Sequence, residues 1–319
     1  MIAWLVLLQA SLTIAVAGPA TSPEYLPLHV AQAEGLFAAQ RLDVTLRSFR
    51  SDSGAAEALA AGQVQLAATS LESALRLGTV DGRPPGLVWG FTAATPVALL
   101  VNPSRVETIR SPGDLIGQTV AVPAPGTPED QALAFLLAQA DVLPSRVTMR
   151  SLGERGAARA LAGGEVAAAM LSEPYVTKLV QDGVAVIAVD LRTAKDAAAW
   201  LGGPTVNAAL FARAGAALDA ATLRGLGAAL QAALARVLTA EPDSLAARLP
   251  AAVVGAPADF VLRLQSAREL FLPGGRVSVE ALEHSLDLIR GRGPLPVKVK
   301  MPRSSEQLLL QEPATPEPR

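Results

Sequence analysis

The stretch Gly54-Ala-Ala-Glu-Ala-Leu-Ala-Ala-Gly62-Gln-Val64 returns as Gly156-Ala-Ala-Arg-Ala-Leu-Ala-Gly-Gly164-Glu-Val166, 102 positions later. Other blocks return with it and in the same order. Val44-Thr45-Leu46-Arg47-Ser48 matches Val147-Thr148-Met149-Arg150-Ser151, and Ala31-Gln32-Ala33-Glu34 matches Ala138-Gln139-Ala140-Asp141. Thr13-Ile14-Ala15-Val16 with the later Pro23-Glu24 matches Thr119-Val120-Ala121-Val122 with Pro128-Glu129. Small loop insertions explain the drift in spacing. A chain that repeats strand and helix signals in order builds two similar lobes, and the groove between such lobes is where a ligand site forms.

Each half reads as alternating strands and helices. In the first half, strands are expected at 12–16, 44–49, 64–68, 87–91 and 97–101, with helices at 26–37 and 54–61. In the second, strands are expected at 119–122, 147–150, 166–171 and 184–189, with helices from 128 to about 140 and at 157–162. Thr21 or Ser22 is the expected cap of the 26–37 helix. Thr127, Pro128 and Asp130 spell a helix start, with Thr127 as the cap and Asp130 closing a variant of the capping box. Strands alternating with helices imply an α/β fold with two similar lobes, each a mixed, mostly parallel sheet flanked by helices. From about residue 219 the chain turns helical. Leu223, Leu226, Leu230 and Val237, then Phe260, Leu264, Ala267 and Phe271, then Leu282, Leu286 and Ile289 form apolar stripes that face a core.

Composition bounds the function. The chain has 319 residues, 50% hydrophobic and only 4% aromatic, with a net charge of −2 and no basic run. Nucleic acid and anionic membrane surfaces are therefore not expected partners. No stretch of 18 uninterrupted apolar residues predicts a membrane span. With no cysteine, disulfides, thiolate metal sites and cysteine nucleophiles are excluded. Residues 1–10, with Ile2-Ala3-Trp4-Leu5-Val6-Leu7-Leu8, resemble the apolar part of a secretory signal that lacks its basic leading region. The competing reading is a first core strand. The Pro-rich segment 293–319 is expected to be disordered.

Catalytic patterns are missing. His29 and His284 lie in separate expected helices without a partner at metal spacing, so no metal and no cofactor are expected. There is no Gly-x-Ser-x-Gly elbow and no phosphate-cradling Gly-rich loop. Glu129 and Asp130 are explained by a helix N-terminus. What remains is a set of short hydroxylated loops after the strands of both halves, suited to directed hydrogen bonds at the carboxyl ends of parallel strands. Thr127 and Ser53 each offer a hydroxyl beside helix-start N–H groups; plain capping is the alternative for both.

The residues Pro27-Leu28-His29-Val30-Ala31-Gln32-Ala33-Glu34-Gly35-Leu36-Phe37, Leu42-Asp43-Val44, Asp114-Leu115-Ile116-Gly117-Gln118-Thr119-Val120 and Glu173-Pro174, together with the two Gly-x-Val blocks, resemble a known family. It is the periplasmic solute-binding proteins of ABC importers, in the group that takes nitrate, taurine, aliphatic sulfonates and thiamine-pyrimidine precursors. The resemblance covers roughly residues 12–290. It implies the type II periplasmic-binding fold, with the chain crossing twice between lobe 1 (11–95 plus 205–290) and lobe 2 (96–204). It further implies a periplasmic monomer, a membrane permease as partner, and hinge closure on a small organic or anionic solute. Carried over position by position, its ligand contacts fall on Ser22, Tyr25, Ser53, Thr69, Ser70, Thr92, Thr127 and Glu173. Where that family has Asp after Gly-x-Val, this chain has Gln65 and Ala167.

Two other functions fit the same scaffold: a cysteine-free enzyme using cleft carboxylates, or a sensory module. Turnover of a bound compound would mark the first. A neighbouring kinase or cyclase gene, in place of permease and ATPase genes, would mark the second.

Overall fold

A computed structural model of the chain describes residues 10–291, 295, 299–301 and 304–310. The signal reading on residues 1–10 lies outside the described residues except for Ala10, which opens the first strand. Two five-stranded sheets form the frame. In chain order the strands are β1 (Ala10–Val16), β2 (Leu42–Ser48), β3 (Leu66–Ser70), β4 (Gly86–Gly90), β5 (Val97–Val101), β6 (Thr119–Val122), β7 (Thr148–Ser151), β8 (Ala168–Ser172), β9 (Val186–Asp190) and β10 (Ala208–Ala212).

One sheet runs β2-β1-β3-β10-β4 and the other β7-β6-β8-β5-β9. These are the same order once the repeat is applied. β1, β2 and β3 pair in parallel, as do β6, β7 and β8. The strand that follows each crossing, β5 or β10, pairs antiparallel with both neighbours. The chain thus crosses between sheets twice, after β4 and before β10. β3, β5 and β10 are buried throughout, as central strands covered on both faces must be; β5 and β10 read as continuous apolar runs, and β3 ends on the buried polar pair Thr69-Ser70. β2 alternates at its start and β7 is exposed, as edge strands are.

The first lobe carries α1 (Leu26–Ala33), α2 (Leu36–Ala39), α3 (Asp52–Ala60) and α4 (Leu71–Leu77). The second carries α5 (Pro128–Gln139), α6 (Gly153–Ala162), α7 (Tyr175–Gln181) and α8 (Ala194–Leu201). The single helix expected over 26–37 is split, because Gly35 takes a left-handed conformation at φ 68° that begins a new turn. After β10 come α9 (Ala220–Thr239), α10 (Pro242–Ala246), α11 (Ala251–Val254), α12 (Pro257–Arg268) and α13 (Val279–Gly291). The apolar stripes of α9, α12 and α13 join the first lobe's core through Leu226, Leu230, Val237, Phe260, Leu264, Leu282, Leu286 and Ile289. Each such leucine contributes about 1.5–3 kcal/mol of transfer free energy on burial. Leu223 is only partly buried at the edge of that core, and Phe271 lies beyond the end of α12.

The tail departs from expectation where it is described. Ser305–Leu308 is a 3₁₀ turn and Leu308 joins the first lobe's core. Leu309 bridges in parallel to Leu87, and the Leu310 N–H donates to the Leu87 carbonyl at 2.8 Å. The leucine run covers the open edge of β4, whose backbone groups would otherwise be unpaired. Gly86 leaves the room, since a Cβ there would lie 2.5 Å from Leu310 Cδ1. Gln65 also has a role in the frame: its Oε1 accepts from the Thr13 N–H at 2.8 Å, tying the turn before β3 to β1.

Candidate functional site

Between the sheets lies a cavity of about 390 Å³, walled by the loops at the carboxyl ends of the parallel strands in both lobes. The first lobe supplies 17–19, 21–25, 50–52 and Ser70; the second supplies 123–129, Glu154 and 172–174. The crossing segments add Thr95, Pro96, Val97 and Asn207, and α12 adds Arg263 and Ser266.

Five of the eight expected site residues, Ser22, Tyr25, Ser70, Thr127 and Glu173, lie on this wall. Ser53, Thr69 and Thr92 do not. The cap of α3 is Ser51, whose Oγ accepts from the Gly54 N–H at 3.1 Å; Ser53 sits half-buried one step inside the helix. Thr69 is fully buried, and its Oγ1 donates to the backbone oxygen and Oδ1 of Asp52 at 2.9 and 3.0 Å. Thr92 is also fully buried, bridged to Phe271 in the crossing, and its hydroxyl has no partner among the described residues.

The residues that do reach the wall are mostly engaged. Tyr25 donates its hydroxyl to Asp52 Oδ1 at 3.1 Å and sets its ring edge-on to Phe91, 5.8 Å between centroids. It therefore builds the floor and offers no open face for stacking. Thr127 Oγ1 donates to the Ala124 carbonyl and caps α5 by accepting from the Asp130 N–H. The reciprocal half of the expected capping box is displaced by one residue: Asp130 Oδ2 accepts from Gly126 N–H at 2.8 Å. Glu173 spends both oxygens inside its own lobe, on Arg192 Nη1 at 2.5 Å and on Thr177 Oγ1 and N–H. Ser22 makes no side-chain capping bond.

The charged lining is what the sequence reading missed. Glu24, Asp52 and Glu129 are 7%, 6% and 6% exposed, yet all three line the cavity. Asp52 Oδ1 gathers Tyr25, Thr69 and the Ser70 N–H, the last at 2.7 Å. Burial pushes the Glu24 carboxyl up to about 7, with the charges of Asp52 and Glu129 adding to the effect against one backbone hydrogen bond of its own. Burial also raises Asp52 and Glu129, and hydrogen bonds pull both back: Ser70, Thr69 and Tyr25 for Asp52, Ser172 and Thr127 for Glu129. Two further wall atoms, Arg263 Nε and Ser266 Oγ, are buried with no hydrogen-bond partner among the described residues. Buried polar atoms rarely go unpaired, and a wall that holds several is suited to a polar ligand. One signal was available: the repeat already aligned Pro23-Glu24 with Pro128-Glu129.

This arrangement defines a class: a two-lobed α/β protein with its site at the strand ends between lobes. Several solved structures share the fold. A protein from Bordetella bronchiseptica RB50 is 27% identical over 95% of this chain and 95% of its own, with a TM-score of 0.75. The alkanesulfonate-binding protein SsuA from Xanthomonas axonopodis pv. citri, bound to MOPS, is 20% identical over 94% of this chain and 98% of its own, with a TM-score of 0.67. The periplasmic nitrate-binding protein NrtA from Synechocystis PCC 6803 is 15% identical over 81% and 68%, with a TM-score of 0.56. A search of curated proteins gives no match. The sequence model described as NMT1/THI5 like matches residues 22–201, and the chain belongs to that family.

Proposed function

We propose that this protein is the solute-binding component of an ABC import system, working outside the cytoplasm and handing its solute to a membrane permease. The observation that carries the reading is the cavity itself. Loops of both repeated lobes wall it, the chain crosses beside it twice, and it holds buried polar atoms that a ligand would satisfy. Its volume is within the range of about 300–1,000 Å³ common for small-molecule sites. Two crossings between rigid lobes are the geometry of a hinge, and closure on a solute is the two-state device such a geometry supports. Structures sharing the fold include proteins named as sulfonate- and nitrate-binding, which supports a binding role.

In this reading the solute contacts the wall residues Ser22, Ser70 and Thr127, with Ser266 Oγ as a further anchor. Tyr25 and Glu173 act behind them, holding Asp52 and the start of α7. A thermal-shift screen of the full chain against small polar solutes tests this. A compound at about 100 times its dissociation constant should add about 2.7 kcal/mol of stability. Steady consumption of the stabilising compound by the protein alone would replace the receptor reading with an enzymatic one.

A further inference from the structure

The cleft wall carries five carboxyl side chains, Glu24, Asp52, Glu129, Glu154 and Glu173, against two guanidinium groups, Arg50 and Arg263. Arg192 neutralises Glu173 from within the second lobe. The three buried carboxyls have no such relief: among the described residues none of Glu24, Asp52 and Glu129 has an ion-pair partner. Glu24 is the extreme case. It is 7% exposed and lines the cavity, and among the described residues its carboxyl hydrogen-bonds only its own backbone.

A buried acidic group that faces a cavity is stabilised by whatever positive charge enters it. An anionic solute would add like charge to a wall whose carboxyls outnumber its guanidinium groups, and the charge of Arg263 is already offset by Asp259 and Glu154. A metal ion does not fit either. Among the described residues no three His, Cys, Asp or Glu side chains converge closely enough to hold one. Glu24 and Glu129 come from the two lobes, on segments that wall the same cavity, which suits a charge borne on a molecule placed between them.

We propose that the solute is a small organic cation whose ammonium- or amidinium-type nitrogen is held between Glu24 of one lobe and Glu129 of the other. This rests on the receptor reading and replaces the expectation of an anionic solute. It also couples charge to closure. Closing the empty cleft brings two carboxyls of like charge together, which opposes the closed state; a cation between them removes the repulsion and adds charge-assisted hydrogen bonds.

The test uses the full chain and pairs of probes matched in shape and opposite in charge: butylammonium with butanesulfonate, benzylammonium with benzenesulfonate, and acetamidinium with nitrate. Binding is measured by calorimetry on the wild type and on Glu24→Gln and Glu129→Gln. Glu107→Gln, an exposed acid outside the cleft lining, is the control, and thermal melts establish that each variant folds. The expected result is binding of at least one cation, weakened roughly tenfold to hundredfold in each cleft variant and unchanged in the control. If a sulfonate or nitrate binds and no cation does, the inference is overturned while the receptor reading stands. If no probe of either charge binds, both fall.

Discussion

Glu24 and Glu129 hold equivalent positions in the two halves of the chain: each directly follows a proline, Pro23 or Pro128, in the first helical turn after one of the matching strands β1 and β6. Both are buried and both line the one cleft, and the charge of Glu129 helps raise the Glu24 carboxyl. The internal repeat has therefore placed a pair of acids across the groove it created. Several consequences can be measured.

The first concerns pH. Glu24 titrates at an ordinary 4.5 when unfolded and at about 7 in the fold. Its contribution to stability is whole below the unfolded value and is lost as pH rises through the folded one, because ionising it in place is costly. Across that window the loss is about 3 kcal/mol from this group. The titratable groups that act with it are Tyr25, Asp52 and Glu129; burial shifts Asp52 and Glu129 in the same direction. Urea unfolding at pH 5 and pH 8 should show the wild type losing more stability than Glu24→Gln. Parallel losses would mean that Glu24 is not the buried acid described.

Asp52 anchors the first-lobe wall. Replacing it with alanine strands the Ser70 N–H in a buried setting and leaves the Thr69 hydroxyl with only the backbone oxygen of residue 52. We expect Asp52→Ala to lower stability by about 3 kcal/mol, and Tyr25→Phe, which removes only a donor, by about 1 kcal/mol. Equal effects from the two would contradict the network.

Gly275 tests the packing behind the cleft. Its φ is 65°, and a Cβ there would sit 1.9 Å from Trp89 Cε2. Gly275→Ala should therefore cost more than about 3 kcal/mol in chemical denaturation. A cost below about 1 kcal/mol would mean the ring can move aside.

The leucine run over β4 has its own test. A chain ending at residue 303 loses the Leu310-to-Leu87 hydrogen bond and the buried Leu308. Its melting temperature should fall and it should self-associate at the bared edge, as sedimentation would show. An unchanged melting curve would assign the run no structural role.

Much of this architecture is legible in the chain, because a repeat carries its strand order twice. Glycine spacing, the start of α5 and the apolar stripes of α9, α12 and α13 are local signals, and the structure follows them. The site is less legible, for nonlocal reasons. An acid in a helix's first turn is explained equally well by the helix dipole, so the sequence alone leaves Glu24 and Glu129 looking ordinary, and only the fold shows both buried. Thr69 and Thr92 sit near strand ends, where one step of register decides between cleft and core. Ser51, not Ser53, caps α3 because the helix starts two residues earlier than the Gly54 signal suggests. Leu308 to Leu310 lie in a polar tail, and only the open edge of β4 gives them a place.

The central claim is that two hinged lobes close on a solute, and the absence of cysteine makes a direct measurement simple. Glu57 on α3 and Arg159 on α6 are exposed and occupy matching positions of the repeat, one in each lobe. Glu57→Cys with Arg159→Cys, both spin-labelled, reports the distance between lobes with and without a saturating, calorimetrically verified solute. We expect the distance distribution to shift and narrow on binding. A solute that binds in the cleft and leaves the distribution unchanged would contradict the account.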